Sequence, residues 1–348
     1  MLWNRKRPMV GLDIGSSAIK VVKVENEGGN YHLRDFGSAE LLPEAIVDGE
    51  VMDRQLVVET IQNLFESKHF KIRDVAAAVS GRAVIVKKIQ MDRMTPEDAR
   101  EAISWEAEQH VPYDINEVCL DFQILDGSSD PKRMEVLLVA AKREMLMSHA
   151  SMIRDAGLNP LVLDVESFAV QNAISLNYDF APEEVIALVN VGSELTNINI
   201  IKDGIPLYTQ DLSVGGIHFV EAVQRQFNLS HAEAEAAVHG EEQAEFDLDQ
   251  VIREVGEELA TGIDRSVMYL QNTEASDDLS RILLTGGGVR IPGLEEFLRQ
   301  RHQASVEVAD PLRRVRFDPA LFGDKKPEDV APSLTVGLGL ALRKVSDR

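Results

Sequence analysis

The chain has 348 residues, 44% of them hydrophobic, one cysteine and a formal net charge of -22. That apolar content excludes a disordered chain and the length suggests two lobes, the charge argues against a nucleic-acid binder, and the lone Cys119 excludes an internal disulfide or a structural cysteine-zinc site. No apolar run approaches the roughly 18 residues that span a bilayer and no signal peptide precedes the first strand, so a soluble, cytoplasmic protein is expected.

The start, with Trp3 beside Arg5, Lys6 and Arg7, reads as a frayed basic terminus. Val10 to Asp13 is an apolar strand, Gly15-Ser16-Ser17 a turn, and the chain to Glu25 an alternating return strand. This is a β-hairpin with a carboxylate, Asp13, at its lip. The set suits a polyphosphate: Gly15 lets the backbone come close, its N–H and those of Ser16 and Ser17 can face phosphate oxygens, and Lys20 adds a point charge. Asp13 can hold Mg2+ through water. The alternative is an ordinary Gly-Ser hairpin with Lys20 as an exposed strand lysine.

Glu27-Gly28-Gly29-Asn30 makes a tight turn, and Tyr31 to Phe36 a third strand. Leu56, Val57, Thr60, Ile61, Leu64 and Phe65 keep the spacing of one helix face. Asp74 to Ser80 and Arg82 to Gln90 read as strands, Thr95-Pro96-Glu97-Asp98 as a capped helix start, and Glu117 to Leu125 as a strand. Residues 36–125 thus read as an inserted block. Asp126 to Pro131 is a loop, after which a strand from Met134 to Ala141, a helix stopped by Gly157, a strand from Leu161 to Val165 and a helix through Asn177 complete the first lobe.

A second lobe opens at Ala181. Setting Asn190-Val191-Gly192-Ser193 against Asp13-Ile14-Gly15-Ser16 aligns an apolar strand, a Gly-Ser turn and an alternating return strand in both places, as a diverged duplication would. Residues 231–260 carry ten acidic side chains against one Arg, a solvated helical face by default. Leu248, Val251, Ile252, Val255, Leu259, Ile263, Val267 and Leu270 mark one long amphipathic helix. A strand from Arg281 to Thr285 then breaks at Gly286-Gly287-Gly288, leaving a surface free of side chains on which a planar group can lie.

In this order the motifs resemble the actin-like ATPase superfamily, and within it Gly11 to Ser17, Glu166 to Ala169, Leu284 to Gly288 and Ser333 to Arg343 are most similar to the PilM family of type IV pilus assembly. The resemblance implies an α/β, ribonuclease H-like duplicated fold of two lobes, with an FtsA-type 1C subdomain at 36–125. The first-lobe core (1A) would comprise 1–35, 126–180 and 325–348, and the second lobe (2A/2B) 181–324. It implies ATP or ADP with Mg2+ between the hairpins: Lys20 on the β-phosphate, Gly192, Ser193 and Thr196 in the second phosphate loop, and Gly286, Gly287, Gly288 and Arg290 on the adenosine side. Glu166 matches the acidic residue that orients the attacking water. Asn190 stands where the family's second loop has Asp, which implies ATP binding with weak hydrolysis, and on that reading Asn190→Asp raises turnover.

The implied role is a cytoplasmic scaffold that binds the cytoplasmic N-terminus of the inner-membrane protein PilN, near the junction of the inserted block with the first lobe, and so touches the membrane only indirectly. The pilus assembly ATPase is a second candidate partner, and self-association is open. The alternatives are an FtsA-like division protein, which wants a C-terminal amphipathic anchor that this sequence does not show, and a small-molecule kinase of the same superfamily.

Overall fold

The computed structural model describes residues 9–47, 49–125, 130–239, 247–273 and 278–344. The basic start, most of the loop after Leu125 and part of the acidic run lie outside the described residues.

Strands β1 (Val10–Ile14), β2 (Ala18–Glu27) and β3 (Asn30–Glu40) form an antiparallel meander. A two-residue pair, β4 (Ile46–Val47) and β5 (Glu50–Val51), leads to α1 (Arg54–Ser67), where Asp53 caps the first turn by accepting from the Leu56 N–H at 3.0 Å. β6 (Asp74–Val79) returns parallel to β1. Next, β7 (Val84–Asp92), α2 (Pro96–Ala107), β8 (Val118–Leu125) and β9 (Arg133–Lys142) make a separate unit, its sheet in the order β7-β9-β8 with the apolar face of α2 packed on one side. α3 (Arg143–Asp155), β10 (Asn159–Val165) and α4 (Glu166–Asn177) complete this half, with β10 parallel to β6.

The second half repeats the plan. β11 (Val185–Val191), β12 (Thr196–Lys202) and β13 (Ile205–Leu212) form a meander, followed by α5 (Gly216–Phe227), α6 (His231–His239) and α7 (Asp249–Thr273). β14 (Arg281–Thr285) runs parallel to β11, and after α8 (Leu294–Arg301), β15 (Ser305–Val308) runs parallel to β14. β16 (Val315–Arg316) joins the edge of the first sheet beside β3, and α9 (Pro327–Val330) and α10 (Thr335–Ala341) close the chain.

The sheet orders are β10-β6-β1-β2-β3-β16 and β13-β12-β11-β14-β15. Reading outward from the meander, the five shared strands correspond one for one, so the duplication seen in the motifs is a duplication of the sheets. α4 and α10 lie between the two halves: Ala169, Val170 and Ile174 share a core with Ile186, Leu188 and Leu283 of the second sheet and with Val336 and Leu340. Glycines permit that approach. A Cβ on Gly339 would sit 1.7 Å from the Ala169 carbonyl oxygen, and one on Gly11 would sit 1.9 Å from that of Gly337.

The block boundary at 36–125 needs correction. β3 runs on to Glu40, α1 packs in the first core through Val57, Ile61, Leu64 and Phe65, and β6 is an interior strand of the first sheet. Conversely β9, placed in the first-lobe core by its position after the loop, pairs along its whole length with β7 and β8. The separate sheet therefore draws on residues 84–142. Strand pattern is local and strand partnership is not, which is why the boundary was misplaced.

A cleft between two facing hairpins

The β1–β2 and β11–β12 turns face each other across a cavity of about 80 Å3 lined by Asp13, Gly15, Ser16, Ser80, His149, Glu166, Gly192, Ser193 and Glu194, among others. The structure brings Asp13, Gly15, Ser16, Glu166, Gly192 and Ser193 together at this cavity. Each turn is built alike: the N–H of Gly15 donates to the Ala18 carbonyl at 3.2 Å, and that of Gly192 to the Leu195 carbonyl at 2.9 Å. Those two N–H groups are therefore spent within the hairpins, contrary to the role expected for Gly15.

Lys20 is held on Asp13, its Nζ 3.2 Å from Oδ2, in a directly opposed cross-strand pair. The corresponding pair in the second hairpin is Asn190 and Asn197. A charged pair in one copy is a pair of amides in the other.

Asn190 is the hub of a buried polar chain. Its Nδ2 donates to Glu166 Oε1 at 2.9 Å and to Asn197 Oδ1 at 3.0 Å, and Asn197 Nδ2 donates to Asp211 Oδ1 at 2.7 Å. Asp211 Oδ2 accepts the backbone N–H of Gly81, and the Ser80 hydroxyl donates to Glu166. Burial, reinforced by the charges of Asp13 and Asp211 and opposed by Ser80 and Lys20, pushes the Glu166 carboxyl up to about 7. Burial also raises Asp211, against the hydrogen bonds from Asn197 and Gly81.

Thr196 departs from its expected role. It is fully buried and its hydroxyl donates to the Val214 carbonyl at 2.7 Å, because β12 pairs deep inside the second sheet. The three glycines also divide their work. Gly286 has φ +92°, and a Cβ there would lie 2.3 Å from the Val191 carbonyl oxygen, while one on Gly288 would lie 2.4 Å from Val191 Cγ1. Both are needed for packing on β11. Only Gly287 opens outward, a Cβ there meeting nothing within 4 Å, with exposed Arg290 one turn on. Ser17, at the outer end of the first turn, is exposed and accepts the Leu41 N–H on its carbonyl at 2.8 Å.

At the start of α5, the Gly216 and Ile217 N–H groups donate to the Gly192 and Ser193 carbonyls, both at 2.9 Å, and His218 Nδ1 accepts from Gly215 at 3.0 Å. This helix end thus clamps the second hairpin. Ser80, His149, Asn197 and Asp211 were missed by sequence reasoning. Asn197 carried a signal: it aligns with Lys20 when the two copies are superposed.

A larger groove, of about 700 Å3, lies where the separate sheet meets the core. Leu125, Leu137, Val139, Leu161, Leu163 and Phe168 give it apolar walls, with Asp121, Gln123, Gln171, Asn172, Arg343 and Lys344 around them and Gly204 to Pro206 of the second half at one side. Arg343 is anchored by Asp164, to which its Nη2 donates at 2.7 Å.

A family model described as type IV pilus assembly protein PilM matches residues 11–345. The chain belongs to the PilM family. Among solved structures, a PilM–PilN type IV pilus biogenesis complex is 30% identical with a TM-score of 0.85, covering 97% of this chain and 98% of that one. The cell division protein FtsA of Bacillus subtilis is 22% identical over 355 residues, covering 88% of this chain and 80% of FtsA. MreB5 of Spiroplasma citri, solved with ADP, is 12% identical with a TM-score of 0.51 over 96% of this chain and 94% of its own, which supports the actin-like fold alone. The two-lobed actin-like reading of this PilM-family chain therefore holds. Among the described residues, no helix is long and apolar enough to cross a membrane.

Proposed function

We propose that this chain is a nucleotide-binding scaffold of type IV pilus assembly, holding Mg-ATP between its hairpins and the cytoplasmic N-terminus of a PilN-like membrane partner in the groove beside the separate sheet. The groove carries the partner half of this reading. Short extended peptides bind grooves with apolar walls and a polar rim, and the similar solved complex pairs a PilM with a PilN. Such a partner would place the chain in the cytoplasm against the inner membrane.

The cleft residues fit a nucleotide in part. Asp13 and Lys20 at the lip and the two tight turns suit a polyphosphate; Thr196 does not take part without leaving its buried bond. Among the described residues no three His, Cys, Asp or Glu side chains form a ready metal cage. Mg2+ commonly binds through one or two carboxylates plus substrate phosphates, and Asp13 is the carboxylate that would serve. Glu166 would face the terminal phosphate region, and with Asn190 in place of a carboxylate the expected hydrolysis is weak.

The experiment is a fluorescence-anisotropy titration of a labelled peptide copying the partner's cytoplasmic N-terminus. The wild-type chain should bind it, and Val139→Glu, which puts a charge on the groove wall, should weaken binding at least about tenfold. Equal binding by both would place the partner elsewhere.

A further inference from the structure

The polar chain through Asn190 has a direction, fixed at the end farthest from the cleft. The N–H of Gly81 can only donate, so it commits one oxygen of Asp211, and the other oxygen takes the Nδ2 hydrogen of Asn197. Asn197 is then left with its oxygen toward Asn190, which must turn its NH2 group to that oxygen and to Glu166. Ser80, next to Gly81, donates to the same Glu166 carboxylate. The ring thus closes on itself at the Ser80–Gly81 turn, between β6 of the core and β7 of the separate sheet. It crosses from one half of the fold to the other and back. Its two asparagines are buried, Asn190 at 4% and Asn197 at 3% exposure.

We propose that Asn197 and Asp211 are positioning residues for the cleft: by fixing the orientation of the Asn190 amide they hold Glu166 as a hydrogen-bond acceptor facing the nucleotide. The proposal rests on the cleft being the nucleotide site. Neither residue lines the cavity; apart from the charge of Asp211, which reaches Glu166 directly, both act through Asn190.

Asp211→Asn tests the direction, because the new group is the same shape with one oxygen replaced by a donor. The Gly81 N–H retains the oxygen, the new NH2 meets Asn197, and each amide in turn must rotate. At the far end the Asn190 oxygen then confronts a Glu166 oxygen, which above about pH 7 has no proton to offer it. Glu166→Gln relieves that clash, since a glutamine can turn its own NH2 to Asn190 while still accepting from Ser80.

A double-mutant cycle on the full chain at about pH 8, where the Glu166 carboxyl is ionised, read by denaturant unfolding, should show that Asp211→Asn lowers the folding equilibrium constant at least about fivefold more in the wild-type background than beside Glu166→Gln. If Asp211 serves only to hold Gly81, its substitution has the same effect in both backgrounds. If it acts only by charge, removing it relieves Glu166 and the sign is opposite. Either result overturns the proposal. Mg-ATP titration calorimetry on the wild type and Asp211→Asn should show a loss of at least about fivefold in affinity; unchanged affinity overturns the positioning role, whereas no Mg-ATP binding by the wild type, with the cycle as expected, overturns the nucleotide reading instead.

Should Asp211→Asn fail to fold, the wild type supplies the test. In protein labelled with 15N at asparagine, the Asn190 and Asn197 side-chain NH2 hydrogens should exchange with water far more slowly than those of exposed asparagines. Exchange at the exposed rate by either one would break the chain as drawn.

Discussion

Asn190 reaches from β11 to donate a hydrogen bond to Glu166 at the first turn of α4, at 2.9 Å. The amide therefore does more than fill the place of a carboxylate. It is a donor to a carboxylate whose neighbours Asp13 and Asp211 already oppose its ionisation.

Asn190→Asp cannot act as a plain restoration of hydrolysis. It removes a donor and sets a second carboxylate against Glu166, so one of the two must keep a proton. A carboxyl pair with raised pKa is stable when protonated and loses stability as pH rises. The variant should be more destabilised at pH 8 than at pH 6, by on the order of 2 kcal/mol. Thermal unfolding at the two pH values checks this; an equal shift at both would contradict it.

Glu166 alone makes a related prediction for the wild type. With its carboxyl raised from an ordinary 4.5 to about 7, folding retains a proton that the unfolded chain releases between those values. Stability from this group is full below about pH 4.5 and declines as pH rises through 7. Asp164 and Asp211, also raised by burial, slope the same way. Glu166→Gln should therefore remove part of the decline between pH 5 and 8 and leave the rest. Parallel stability profiles for the two proteins would contradict the assignment.

Local pattern made much of this legible. Period-two alternation and Gly-Ser turns marked both hairpins, and Thr95-Pro96 marked the start of α2. What local pattern does not encode is partnership. Pairing of Val10 with Val75 puts β6 in the core sheet, and pairing of Val86 with Val139 puts β9 outside it. The same holds for side chains: the Thr196 hydroxyl is taken by a carbonyl from a later turn, and Asp211 enters the cleft network only because β13 pairs with β12.

The glycine trio separates binding from folding. Gly287→Glu should fold normally, since a Cβ there meets nothing within 4 Å, and should lose Mg-ATP binding if the adenosine lies on this surface as proposed. Gly286→Ala should instead destabilise the chain, because φ is +92° and the added carbon lies 2.3 Å from backbone oxygen. Calorimetry and thermal unfolding on both variants distinguish these outcomes. Intact Mg-ATP binding by Gly287→Glu would sink the adenosine placement.

Gly339→Ala probes the helix crossing between the halves. With the new methyl 1.7 Å from the Ala169 carbonyl oxygen, α10 must lift from α4, at a cost of about 3 kcal/mol or more. A variant as stable as the wild type would contradict the packing described.

The groove assignment is tested most directly by photo-cross-linking. A peptide copying the cytoplasmic N-terminus of the proposed PilN-like partner, carrying a photoreactive phenylalanine analogue, is irradiated with the full chain and the adducts are mapped by mass spectrometry. Adducts on β8, β9 and α4, at residues such as Leu137, Val139 and Phe168, are the predicted result; adducts concentrated on the acidic helices α6 and α7 would contradict it.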